Sequence, residues 1–259
     1  MNVTTTINVP ADSSFFEGHF PGRPILPGVA EIVLALEVLA SETSRDLSLR
    51  RICYTRLRQI VLPGEHLDLT AKSLEGGSVR IELKRDGAMV ANGEWEFGVP
   101  DSVDEVVSLP ASPGPLADIP PLDTLLPHRP PMRFLQSILS EKEGCLTCVA
   151  LIPSACALVN RGGVPAVVGL EVAAQAAAAW EALQRSRVEG AAEPRIGYLV
   201  ALREVDFFAA HIPGDQELLV IIKLEVSMPP LSHYQVEVYL EGELLLRGVI
   251  ATFLKEGSD

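Results

Sequence analysis

The sequence predicts an α+β protein built by duplication, two copies of one unit in a single chain of 259 residues. Three observations carry this. A long apolar helix-like run occurs twice, as VAEIVLALEVLA at 29–40 and AVVGLEVAAQAAAAWEAL at 166–183. A short strand ending in proline precedes each run, VTTTINVP at 3–10 and LTCVALIP at 146–153. Long alternating strands follow each one, and residues 100–131, dense in proline, separate the copies.

Each element follows from its residues. Both runs are apolar around nearly the whole helical wheel, which predicts helices buried on most sides rather than lying on a surface. Downstream, RQIVLPGEHLDLTA at 58–71 echoes AAHIPGDQELLVII at 209–222. Each copy closes with two strands around a glycine turn, at 79–98 and 234–254, and Gly87 and Gly93 match Gly242 and Gly248 at the same spacing. One helix followed by several alternating strands implies an antiparallel sheet wrapped on that helix. Two such units pair their sheets and bury their helices back to back. The expected division is 1–98, a Pro-rich linker at 99–118, and 119–259.

Composition narrows the function classes. The hydrophobic fraction of 47% and mean hydropathy of +0.25 predict a sizeable core. The apolar run at 164–183 is broken by Glu171 and Gln175, short of an uninterrupted membrane span. The opening MNVTTTINVP has no basic stretch followed by an apolar one, so a cytoplasmic location is expected. A net charge of −13 argues against nucleic acid as a partner. Cys145 and Cys148 form a lone C-x-x-C without a second ligand pair, and read as strand cysteines rather than metal ligands.

GHFPGRPILPGV at 18–29 places one histidine in a Gly/Pro loop before the first helix. It closely resembles the signature of the hotdog-fold 3-hydroxyacyl-[acyl-carrier-protein] dehydratases of the FabZ/FabA type. LLPHRPPM at 125–132 looks like the opening of that family, and GLEVAAQAAAAW at 169–180 like its glutamate-bearing central helix. PGE at 63–65 and PGD at 213–215 are similar to its later strand-start motif. The halves also resemble the two small dehydratase-like proteins of aryl polyene biosynthesis. The resemblance implies a double hotdog, dehydration of (3R)-3-hydroxyacyl thioesters on acyl carrier protein or CoA, and no cofactor beyond the substrate's own phosphopantetheine. It also implies an intramolecular pseudo-dimer and leaves further homo-oligomerisation open.

The departures from the family pattern are complementary. The family's acid follows its histidine at the position held here by Val33, so the first half has His19 and lacks the acid. The second half has Glu171 with Gln175 one turn on, while its preceding loop, VNRGGVPAVVG, holds no histidine. In this family the histidine of one subunit works with the acid of its partner. The resemblance therefore implies one composite site from His19 and Glu171, and a mirror site that is dead.

Elementary chemistry fits those residue types. Dehydration needs a base for the C2 proton, an acid for the departing hydroxyl and a donor for the thioester oxygen. Imidazole is largely neutral at neutral pH and suits the base. Glu171 suits the acid, and Gln175 at i+4 can orient it. The amides of Gly28 and Val29, at the first helix N-terminus, suit the oxyanion donors. Arg23 is the candidate for a pantetheine phosphate or an acidic carrier helix, ahead of Arg56, Arg58 and Arg161. Glu31 lies two positions from Val33, a turn of about 200° that points it away from the lost acid's place. Glu37 is expected at the solvated helix end, His128 bonded to backbone, and His66, His211 and His233 in ordinary polar roles. Two other functions fit the same fold: acyl-thioester hydrolysis, and a non-catalytic acyl-carrier or partner-binding module.

Overall fold

The computed structural model describes residues 1–45, 47–101, 116, 119–159, 163–190 and 194–255. Most of the 99–118 linker therefore lies outside the described residues, as does the candidate Arg161.

The first half runs β1 (Asn2–Asn8), a 3-10 turn (Ser14–Phe16), α1 (Gly28–Thr43), β2 (Leu49–Leu57), β3 (His66–Ser73), β4 (Val79–Arg85) and β5 (Ala88–Phe97). The second runs α2 (Leu122–Leu125), β6 (Leu135–Lys142), β7 (Cys145–Leu151), β8 (Val164–Pro165), a 3-10 turn (Ala166–Val168), α3 (Gly169–Glu189), β9 (Gly197–Phe207), β10 (His211–Ile212), β11 (Glu217–Met228), β12 (Leu231–Leu240) and β13 (Glu243–Leu254). Eleven strands form one antiparallel sheet in the order β1-β3-β4-β5-β2-β9-β13-β12-β11-β7-β6. From the centre outwards each half repeats the same sequence of strands, β2-β5-β4-β3-β1 against β9-β13-β12-β11-β7. Strand β6, paired with β7, has no counterpart in the first half.

The sheets join at the β2–β9 ladder, where Arg51 faces Asp206 and Thr55 faces Leu202. Arg51 reinforces this seam from both terminal nitrogens, with Nη1 donating to Asp206 at 2.7 Å and Nη2 to Glu204. A continuous sheet is what the duplication predicts. The helices, however, do not lie flush back to back. α1 packs on β1 and β9 and meets the 166–168 turn that leads into α3.

The core explains the all-round apolar helices. In α1 every residue from Val29 to Leu36 is buried, and in α3 Leu170, Val172, Ala173, Ala176, Ala177 and Ala179 have no exposed surface. The segment Ala166–Val188 is long and apolar enough to cross a membrane, but 78% of that window is buried inside the fold, as a core helix is. Cys145 and Cys148 are strand residues on β7, both unpaired, and burial pushes the Cys148 thiol up to about 12.

Candidate active site

The His19 loop is held open by backbone that ordinary residues avoid. Gly18 has φ +77°, and a Cβ there would lie 2.0 Å from the Arg129 carbonyl oxygen. Glycine lets the two loops touch, and the Arg129 amide donates to the Gly18 carbonyl at 2.9 Å. The GHFPG loop of one half is thereby locked to the LPHRPP loop of the other. Phe20, also at positive φ (63°), lays its ring against both imidazoles, 4.1 Å from His19 and 5.0 Å from His128 between centroids.

His19 is 7% exposed, and its Nδ1 lies 2.8 Å from the Ile25 carbonyl oxygen. A carbonyl only accepts, so Nδ1 carries the proton and Nε2 keeps a free lone pair. Burial lowers the pKa of His19, against the opposing pull of the Glu171 carboxylate and the Ile25 carbonyl. Neutral imidazole with Nε2 unprotonated is the form a general base requires.

Glu171 sits in the first turn of α3 and is 4% exposed. Its clamp is Gln175, fully buried one turn on. The Gln175 amide nitrogen donates to Glu171 Oε1 at 3.1 Å and to the Met132 carbonyl at 2.8 Å, while its oxygen accepts from the Phe134 amide at 2.9 Å. The i+4 pairing expected for Gln175 is present, and the clamp ties the acid to the segment that follows His128.

His19, His128 and Glu171 each offer a donor atom, and these atoms all lie within 4.8 Å of one another. All three residues are buried, two imidazoles and a carboxylate, a group whose donor types and spacing could hold a metal ion. His128 Nε2 is 3.6 Å from Glu171 Oε1, and its Nδ1 is buried without a hydrogen-bond partner. Burial, with His19 and Arg129 nearby, pushes the His128 pKa well below 6.5. The expectation that His128 merely bonds backbone is therefore corrected, because it stands in the site.

A cavity of about 310 Å³ opens on these groups, lined by His19, His128, Glu171, Gly28 and Glu31 and by the α3 face of Ala174 and Ala178. Gly28 begins α1, where the first amides have no partner within the helix. A Cβ on Gly28 would fall 2.5 Å from Leu57 Cδ1, so glycine admits strand β2 against the helix start. Val29 is fully buried and is not among the residues lining the cavity, so of the two expected oxyanion donors Gly28 is the one that borders it. Arg23 is exposed and also outside the cavity lining. Glu31, expected to point away from the place of the lost acid, is among the residues lining this same cavity, the one that holds Glu171.

Val33 packs in the core, 1% exposed, where the family places an acid. A second cavity, about 890 Å³, occupies the equivalent place on the other side, between Leu36 and Ala40 of α1 and Phe207, Ala210 and His211.

Comparison with known proteins matches both halves. An ApeI-like dehydratase model covers residues 1–94 and an ApeP-like dehydratase model covers 120–258. The chain is 35% identical over 112 residues to the 3-hydroxyacyl-[acyl-carrier-protein] dehydratase FabZ of Myxococcus xanthus, covering 38% of this chain and 73% of that protein. The FabZ of Lactobacillus helveticus is 30% identical over 111 residues, 39% of this chain and 75% of that one. Among solved structures, the dehydratase domain of RzxB from Pseudomonas fluorescens superposes with a TM-score of 0.72 at 15% identity, covering 97% of this chain and 96% of that one, a likeness of fold. With an ApeP-like dehydratase model matching more than half of its residues, an ApeI-like model matching most of the rest, and the two joined in one double hotdog, the chain belongs to the ApeI- and ApeP-like dehydratases.

Proposed function

We propose that the chain dehydrates (3R)-3-hydroxyacyl thioesters, carried on the phosphopantetheine of an acyl carrier protein, to trans-2-enoyl thioesters at one composite site. The carrying observation is that His19 and Glu171, from different halves, bring their donor atoms within 4.8 Å of each other in a buried cavity. The FabZ relatives, named for 3-hydroxyacyl-[acyl-carrier-protein], support the substrate class.

In this mechanism His19 Nε2 takes a C2 proton, and the electron pair of that C–H bond forms the C2–C3 double bond. The C3–O bond breaks, the Glu171 carboxyl delivers a proton to the leaving oxygen, and water departs. Proton transfer from the His19 imidazolium to the Glu171 carboxylate resets both groups. The Gly28 amide, at the α1 N-terminus and in the cavity wall, polarises the thioester carbonyl while negative charge builds on its oxygen. No resident cofactor enters any step.

The test is incubation with 3-hydroxyacyl carrier-protein substrates of several tail lengths, following the absorbance of the conjugated enoyl product. Against the wild-type rate, His19→Ala and Glu171→Gln are each expected to cost about 10²–10⁴-fold. Full activity in Glu171→Gln would overturn the composite site.

A further inference from the structure

Glu31 is the most anomalous charged-type residue in the fold. It lies in the first turn of α1, is 3% exposed, and its Oε2 has no hydrogen-bond partner. Arg85, a cation whose charge acts on it, is already committed to Glu65 at 2.5 Å, to Gln59 Oε1 at 2.8 Å and to the Ile60 carbonyl at 3.2 Å. Burying a carboxyl without a partner costs several kcal/mol if it is charged and about 1–3 kcal/mol if it is neutral. Desolvation holds the Glu31 pKa well above the usual carboxylate range, with Arg85 opposing only in part. Glu31 is thus a buried carboxyl whose charged form is disfavoured and whose acid form can both donate and accept, and it is among the residues that line the substrate cavity.

The cavity divides by chemistry. Along α3 its wall is Ala174 and Ala178, flanked by Glu171 and Glu181, and the two alanines suit a hydrocarbon tail. Beside Glu31 the wall is Gly28, Leu57, Arg58, Gln59 and Ile60, and Arg58 and Ile60 are exposed, so this side reaches solvent. A thioester substrate has the same two parts, an apolar acyl chain and a polar arm with two secondary amides. An amide both donates and accepts, as does a carboxylic acid, whereas an alkyl tail does neither.

We infer that Glu31 is a substrate-binding residue that hydrogen-bonds an amide of the pantetheine arm, one helical turn beyond the Gly28 amide. The inference rests on the proposed thioester dehydration, and nothing in the FabZ-type signature assigns it.

The test measures dissociation constants by calorimetry for wild type, Glu31→Gln and Glu31→Leu. One ligand is hexanoyl-pantetheine, which has no 3-hydroxyl and cannot react. The other is S-ethyl hexanethioate, with the same tail and thioester but no amide. Glu31→Leu is expected to bind hexanoyl-pantetheine about tenfold more weakly than wild type. Glu31→Gln, which keeps a donor and an acceptor, stays within about threefold, and all three proteins bind the ethyl thioester alike. Equal weakening of both ligands by Glu31→Leu, weakening of neither, a Glu31→Gln as poor as Glu31→Leu, or no binding of hexanoyl-pantetheine by wild type each overturns the inference. Melting temperatures report folding, and Glu31→Leu removes a buried unpartnered carboxyl and is expected to melt no lower than wild type. Because neither ligand turns over, the outcome is independent of the dehydratase reading. That reading fails separately if wild type leaves 3-hydroxyhexanoyl-pantetheine unchanged.

Discussion

His19 and His128 are both buried imidazoles with pKa values below 6.5, His128 well below. For His19 as base, the acid limb of a pH profile of kcat/KM should have its midpoint below pH 6.5, since the neutral form persists to lower pH than in water. An acid limb centred above pH 6.5 would count against that role. Stability carries the same sign. Well above pH 6.5 both imidazoles are neutral whether the chain is folded or not. As pH falls below 6.5 the unfolded chain binds protons first, so folding stability declines towards the lowered folded values. The melting temperature should drop between about pH 7 and 5, and His128→Gln should flatten part of that drop. Two residues at this scale were not legible from sequence. His128 reaches the site only because the Gly18–Arg129 contact closes two loops far apart in the chain. Rotation from Val33 places Glu31 on another side of α1, and the cavity wraps around the side marked by Gly28, which Glu31 shares at i+3.

At the scale of elements, the junction of the His19 loop with the Arg129 segment is the contact that builds the site. Gly18→Ala would force a side chain both into positive φ and onto the Arg129 carbonyl. The expected cost is roughly 2 kcal/mol or more of stability, read by denaturant unfolding. A fall in kcat/KM beyond what unfolding explains should accompany it, because His19 and His128 are positioned by the two sides of that contact. Strands and helices were legible where local chemistry dictates them. The alternation of 79–98 around Gly87 became β4 and β5, and the apolar wheels became α1 and α3. Strand β6 was not, because LQSILSEK at 135–142 has no echo in the first half of the sequence. Nor was the placement of α1 against β1, β9 and the 166–168 turn, which depends on contacts between segments far apart in the chain.

For the molecule as a whole, the β2–β9 ladder joins the two halves into one sheet, and His19 of one half and Glu171 of the other line the same cavity. The His19 half has Val33 where an acid is wanted, and the Glu171 half has no histidine in its own loop. The duplication and the complementary losses were legible in the sequence. That the losses converge on a single cavity required the fold, since 152 residues separate His19 from Glu171. Both halves belong to one polypeptide, so their meeting is intramolecular. Tethering of this kind sets an effective concentration of order mM for short linkers, far above any working enzyme concentration. The specific activity of the intact chain should therefore stay constant on dilution to the nM range. The same halves produced as separate polypeptides should lose activity as they are diluted below their mutual dissociation constant. Joining the halves makes the site a property of each molecule rather than of its abundance.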